Sequence, residues 1–427
     1  MFLYPPCRQQ FRYWLAGLVF LLVLSSCTSA SQDKDTRILN PTPTTAVHLR
    51  PFVDTWNNIH LFLTFDYQIS DPAAVAKRYD FVWGASVNHV AAFRSGNPNI
   101  FITYYIPFHV DWGTFSNNHA RHGLAYWKTV HPNWVLYRCD RVTPAYEFNH
   151  PNVPLDFANP AVVAWQVKTY AKPASEAGYD GIAADNLGLE NLFHACGVYI
   201  NGKWVQRYTG QTEDPQWRAD IITWLTRMQL TLHHLHHPLA LIPNFTFDGL
   251  SPSDPQIQQI VNHVDGLADE DGFTLSGRGY LTGNDWRRKI QFMEAVQKSD
   301  KPYYIINQFN HSGPINRDEI QWALASYLMG KDHFAALFIS IYQAYGGDTW
   351  YAEYNVQIGN PLGSMYQAQN VYFREYSNGL IIVNPSETNT YTVTLASGSS
   401  FNDLYSNSID HFVTLAPHSG LVLLSAS

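Results

Sequence analysis

Two apolar runs in this chain stop abruptly at acids. Residues 179–187 read YDGIAADNL, where Gly181 to Ala184 ends in Asp185 and Asn186. Residues 267–273 read LADEDGF and carry Asp269, Glu270 and Asp271 in a row. Hydrolysis of a glycosidic bond needs two carboxyl groups flanking it, one ionised and one protonated. Asp185 as nucleophile or base and Glu270 as general acid meet that need if the two face each other across a common mouth. A separation of ~5 Å suits a retaining reaction and ~6.5–9.5 Å an inverting one, and distance along a chain does not choose between them. Asp185 alone serves equally well as the cap of a following turn. If residues 267–271 continue as a strand, alternation turns Asp269 and Asp271 away from Glu270.

Such acids need a scaffold that gathers strand ends. From Asn58 onward, strand-like runs alternate with helix-like ones, the grammar of βαβ units. The strand-like runs cover residues 60–65, 81–85, 100–106, 181–185, 239–243, 266–268, 303–306 and 335–341. Helical patterns fall at 72–79, 160–177, 219–236, 255–263, 286–298 and 318–329. Eight strand-like runs with helical patterns between most of them match a (β/α)8 barrel, which keeps its active site at the carboxyl ends of the strands. A long excursion over residues 114–156 interrupts the pattern, and excursions of that length are usually functional or poorly ordered. Beyond residue 360, short strands at 371–376, 380–384, 391–395, 412–415 and 421–424 are divided by Ser, Asn and Gly, which predicts a small antiparallel β-sandwich. The barrel therefore spans residues 58–360 and the sandwich 361–427.

On that scaffold Asp66, Asp111, Asn244, Asp269 and Gln308 fall at strand ends, as candidates for binding a polar substrate. Trp83, Tyr104, His109, Trp112, Tyr342 and Trp350 could line a sugar site, or serve as core, the commoner use of aromatics. His233 and His237 stand one helical turn apart, yet they precede the fifth strand, on the stability-bearing face of a barrel, with no Glu to complete a zincin motif. No metal and no cofactor is expected. No G-x-S-x-G elbow and no phosphate-binding loop occurs.

Composition sets the class. The 427 residues are 46% hydrophobic and 15% charged, with 13 Trp, 26 Tyr and 24 Phe, an ordered protein with a large core. A net charge of -8 without a basic run argues against nucleic acid. Residues 1–27 read as a secretion signal: Arg8 and Arg12, an apolar core from Trp14 to Leu24, then Ser25, Ser26 and Cys27. Leu24–Cys27 matches the bacterial lipobox, making Cys27 the lipidation site and residues 28–57 a flexible tether at the cell envelope; ordinary secretory cleavage is the alternative. Of the other cysteines, Cys7 leaves with the signal. Cys139 and Cys196 either pair in an oxidising compartment or remain two buried thiols.

Five segments, in order, carry a resemblance: HPNWVLYRC (131–139), VPLDFANPAVVAWQ (153–166), GYDGIAADN (178–186), LADEDGF (267–273) and NGLIIVNPS (378–386). Together they resemble the hypothetical glycosyl-hydrolase-like barrel families, distant relatives of the α-amylase and α-galactosidase barrels. The resemblance implies a (β/α)8 barrel with a β-sandwich tail, Asp185 as nucleophile or base, and Glu270 as acid with Asp269 beside it as the alternative. The resemblance leaves the substrate open; with the strand-end acids it supports reading the chain as a glycoside hydrolase acting on a poly- or oligosaccharide, expected as a monomer. A non-catalytic polysaccharide-binding lipoprotein on the same fold is the first rival, because a fold does not fix activity. A metal-dependent hydrolase using the strand-end Asp residues is the second.

Overall fold

The computed structural model describes residues 59–148, 151–245 and 250–426. Cys27, the proposed signal and the tether lie outside them.

Eight parallel strands form the first body: β1 (Phe62–Thr64), β2 (Phe81–Trp83), β3 (Phe101–Pro107), β4 (Gly181–Leu187), β7 (Ala240–Phe245), β8 (Leu267–Asp269), β9 (Tyr303–Phe309) and β10 (Ala335–Ile341). They neighbour one another in that order. A parallel bridge from Leu61 to Leu337 brings the last strand back to the first, leaving a nearly closed barrel. β5 (Gly197–Ile200) and β6 (Lys203–Gln206) are a hairpin in the loop after β4. Its turn is Asn201-Gly202, both at positive φ (51° and 76°), the pairing that matches hairpin twist.

The barrel is filled by matching large side chains against small ones. Phe62, Phe81, Phe101, Tyr304 and Phe338 pack with Ala183, Ala240, Ala268 and Ala336 in one cluster. Phe81 and Tyr304 stack with centroids 3.9 Å apart. Trp83, expected at a sugar site, belongs to this interior instead, its indole N–H donating to the Ile242 carbonyl at 3.2 Å. Burying so large an apolar ring inside the barrel is worth more than leaving it at the rim.

The excursion after β3 is ordered around a small core of its own, with Trp127, Trp134, Val135, Val153 and Leu155. Asp111, another expected sugar ligand, is fully buried and organises this segment. It accepts from the amides of Gly113 and His122, both at 2.8 Å, and from the Trp127 indole at 2.9 Å. Cys139 and Cys196 are joined by a disulfide, with Cα atoms 5.0 Å apart, that ties the excursion to the hairpin.

The carboxyl-terminal part has two antiparallel sheets. One has six strands: β11 (Tyr366–Ala368), β12 (Val371–Tyr376), β13 (Gly379–Asn384), β18 (Ser419–Ser425), β15 (Phe401–Asp403) and β16 (Ser408–Ile409). The other pairs β14 (Tyr391–Thr394) with β17 (Phe412–Leu415). Phe373, Ile382, Val393, Leu415 and Leu423 pack between them. Helix Arg317–Gly330 lies against this part, and every residue from Glu319 to Gly330 is buried. Gly420 meets it so closely that an added Cβ would stand 2.7 Å from the Ala325 Cβ. Arg374 donates to the carbonyls of Leu328, Met329 and Lys331 at 2.7–3.0 Å, satisfying acceptors that a helix end leaves open.

Candidate active site

The sequence places a bulge at the end of β4, beside the candidate acid Asp185. β4 pairs regularly with β7 as far as Ala184, then slips between Ala184 and Leu187. Asn186 takes φ 61° there, a conformation Asn tolerates better than most residues. A bulge re-aims side chains, and this one lies at the carboxyl end of the strand, where Asp185 stands.

Asp185 and Glu270 come together around Asn244. The Asn244 amide nitrogen donates one proton to Asp185 Oδ1 at 3.0 Å and the other to Glu270 Oε2 at 2.9 Å. Its own oxygen accepts from the Glu270 backbone N–H at 3.3 Å. Two carboxylate oxygens that share one nitrogen are separated by at most about 6 Å, the two bonds laid end to end. A tyrosine serves each acid from the other side. Tyr105 donates to Asp185 Oδ2 at 2.8 Å, and Tyr345 donates to Glu270 Oε1. The Tyr345 hydroxyl is also 3.2 Å from Gln308 Oε1.

Electrostatics favours a proton on Glu270. Burial first, and the Asp185 charge second, push Glu270 upward, while the donors Tyr345 and Asn244 pull the other way. A protonated Glu270 keeps a consistent network: its proton turns to the Tyr345 oxygen, and the Tyr345 proton turns to Gln308. Burial and Asp185 also hold the Tyr105 phenol well above its usual range, so it stays a donor. A third carboxyl joins them. Glu147, in the excursion, is buried, leaves Oε1 without a hydrogen-bond partner, and is raised to about 8 by burial and then by Asp185.

Other expected residues have other work. Asp269 is fully buried and held by Lys289 and Tyr303, one alternation step away from the mouth. Asp66 is buried, with its carboxylate engaged by the Ser86 amide at 2.9 and 3.1 Å and by His89 at 3.0 Å, so it shapes a wall. His109 is fully buried against Phe193, with rings 4.5 Å apart, and its pKa is lowered to about 3 by that burial. Gln308 supports Tyr345 from behind. Tyr104 sits beside a cavity with its hydroxyl donating to the Phe115 carbonyl at 3.2 Å. Tyr342 is 39% exposed beyond β10, three residues short of the tyrosine that reaches Glu270. At the barrel's other end His233 bonds Asp265 at 2.9 Å.

Sequence reasoning passed over Tyr105, Tyr345 and Glu147. Alternation along β3 could have separated Tyr105 from Tyr104, because only one of two neighbours faces the mouth. Nothing in the sequence singles out Glu147, whose position depends on how the excursion folds back.

Residues 94–380 match the family model described as hypothetical glycosyl hydrolase family 15. No curated protein matches the chain. Among solved structures, a noncanonic maltogenic α-amylase from Thermotoga neapolitana is similar at TM-score 0.48 and 11% identity, over 87% of this chain and 100% of that one. An α-amylase from Geobacillus thermoleovorans is similar at 0.44 and 10%, over 87% and 99%. An α-galactosidase from Geobacillus stearothermophilus is similar at 0.41 and 9%, over 88% and 57%.

Proposed function

Because the chain belongs to hypothetical glycosyl hydrolase family 15, we propose that its two central acids hydrolyse a poly- or oligosaccharide with retention of configuration. The observation that carries this reading is the Asn244 amide bridging Asp185 and Glu270. Bridged oxygens no more than about 6 Å apart are compatible with the ~5–5.5 Å separation of a retaining pair, which is the arrangement proposed.

Glu270, whose protonated form burial and the Asp185 charge favour, gives its proton to the glycosidic oxygen as the bond to the leaving sugar breaks. Asp185 attacks the anomeric carbon and forms a glycosyl ester. Glu270, now ionised and served by Tyr345, takes a proton from water as that water displaces Asp185. The proton returns to Glu270 and both acids are restored. Tyr105 and Asn244 keep the Asp185 carboxylate oriented for attack, and holding a nucleophile in place is a large part of catalysis. The membrane tether remains part of the proposal, with lipidated Cys27 holding the enzyme at the cell envelope.

The test is a screen of polysaccharides and aryl glycosides with the wild type, Asp185→Asn and Glu270→Gln. Each variant loses at least ~10²-fold in kcat on natural linkages. Glu270→Gln is hurt less on activated aryl leaving groups, which need little protonation. Near-normal turnover by both variants refutes the pair, and the sugar-binding reading then replaces it.

A further inference from the structure

Two cavities flank the acids, and no residue lines both. The first, about 600 Å³, is walled by Phe65, Tyr67, Tyr105, Trp112 and Phe115, with Asn117 at its polar edge. The second, about 410 Å³, is lined by Asn186, Glu190, Leu192, Phe193, Glu270 and Arg278. Each falls within the ~300–1,000 Å³ of small-molecule sites. The partition between them is the catalytic group itself. Tyr105, a wall of the first cavity, donates to Asp185, and Glu270 with Asn244 is a wall of the second. Phe65 completes the partition by packing edge-on against Tyr105 (5.1 Å) and Tyr345 (5.9 Å).

Both cavities reach the surface. Tyr67 on the first is 61% exposed, and Leu192 and Phe148 on the second are 52% and 62% exposed. A blind pocket on one side would admit only a chain end. Two open cavities that share no lining residue, one reaching the acids through Tyr105 and the other through Glu270, let sugar units continue both ways. Their walls differ as well: the first is aromatic, suited to sugar faces, and the second mixes charged and apolar groups.

Resting on the glycosidase reading, we propose that this site cleaves linkages inside an oligosaccharide or polysaccharide chain, with sugar units in both cavities. The probes are nitrophenyl oligosaccharides of two to seven residues, gluco- and galacto-configured and α- or β-linked. Each is made with a free and with a chemically blocked non-reducing end. Internal cleavage predicts that blocked and free substrates of four or more residues are hydrolysed within about threefold of each other. Tyr67→Ala and Leu192→Ala, one on the rim of each cavity, should each lower kcat/KM on the longest substrates at least tenfold and shift the position of the cut. Hydrolysis of free-ended substrates alone, or loss from one rim variant only, overturns the proposal and leaves an end-trimming glycosidase. Absence of hydrolysis on every probe and polysaccharide overturns the glycosidase reading itself.

Discussion

Glu147 makes a quantitative prediction about stability. A carboxyl that titrates at about 8 in the folded chain, against an ordinary value of 4.5, holds its proton over a window in which the unfolded chain has released it. The folded state binds more protons there, so stability falls as pH rises from 4.5 to about 8 and levels off above. The group's contribution is most favourable below its unfolded value and is lost on the way to its folded one. At about 1.4 kcal/mol per pH unit, the penalty relative to acid is about 1 kcal/mol at pH 5 and about 5 kcal/mol at pH 9. Glu147→Gln keeps the shape and removes the titration, while every other ionisable group is common to both proteins. Urea unfolding followed by tryptophan fluorescence, with the disulfide intact, should show the variant more stable than wild type by about 4 kcal/mol more at pH 9 than at pH 5. The gain should shrink in an Asp185→Asn background, because the Asp185 charge is the second cause of the shift. A stability difference that does not change with pH refutes the reasoning, since it leaves Glu147 titrating alike in both states.

Three further outcomes follow from particular contacts. Asp269→Asn strands the buried Lys289 charge and should cost about 3–5 kcal/mol in denaturant melts, while KM of the folded enzyme stays put; a stable but inactive variant would move the acid from Glu270 to Asp269. Removing the disulfide by Cys139→Ser with Cys196→Ser should lower stability by about 2–4 kcal/mol, and an unchanged unfolding midpoint counts against that estimate. Cys27→Ala should move the protein from the membrane fraction to the soluble one, and a variant that still fractionates with membrane defeats the lipid anchor.

The barrel was legible because its strands are nearly continuous apolar runs that stop at polar residues, and β4 and β8 carry that signal plainly. The hairpin was legible in principle, since Asn201-Gly202 is a strong turn pair, but its short strands sit inside what reads as a loop. Period-two alternation fits Asp269, which faces Lys289 and Tyr303, but not Asp271, which lines the same cavity as Glu270 because the strand ends at Asp269; along β3 the same rule separates Tyr104 from Tyr105. What periodicity does not carry is depth. Trp83 in the barrel interior and Trp112 beside a cavity belong to equally apolar stretches, and only closure of the sheet decides which ring meets solvent. Asp66 and Asp111 stand at strand ends as catalytic acids do, yet nearby amides claim their oxygens. Glu147 reaches the site through a fold-back of the excursion that no local pattern encodes.

The contact between helix Arg317–Gly330 and the terminal sheets bears on how this protein can be cut or recombined. A helix buried all round, with Arg374 closing its last carbonyls, has no face prepared for water. Ending the chain near residue 360 would strip the cover from a barrel helix rather than release an independent appendage. The barrel and the sandwich therefore make poor interchangeable parts. A shortened gene, a fusion or a shuffled chimera that keeps the barrel has to carry residues 361–426 with it.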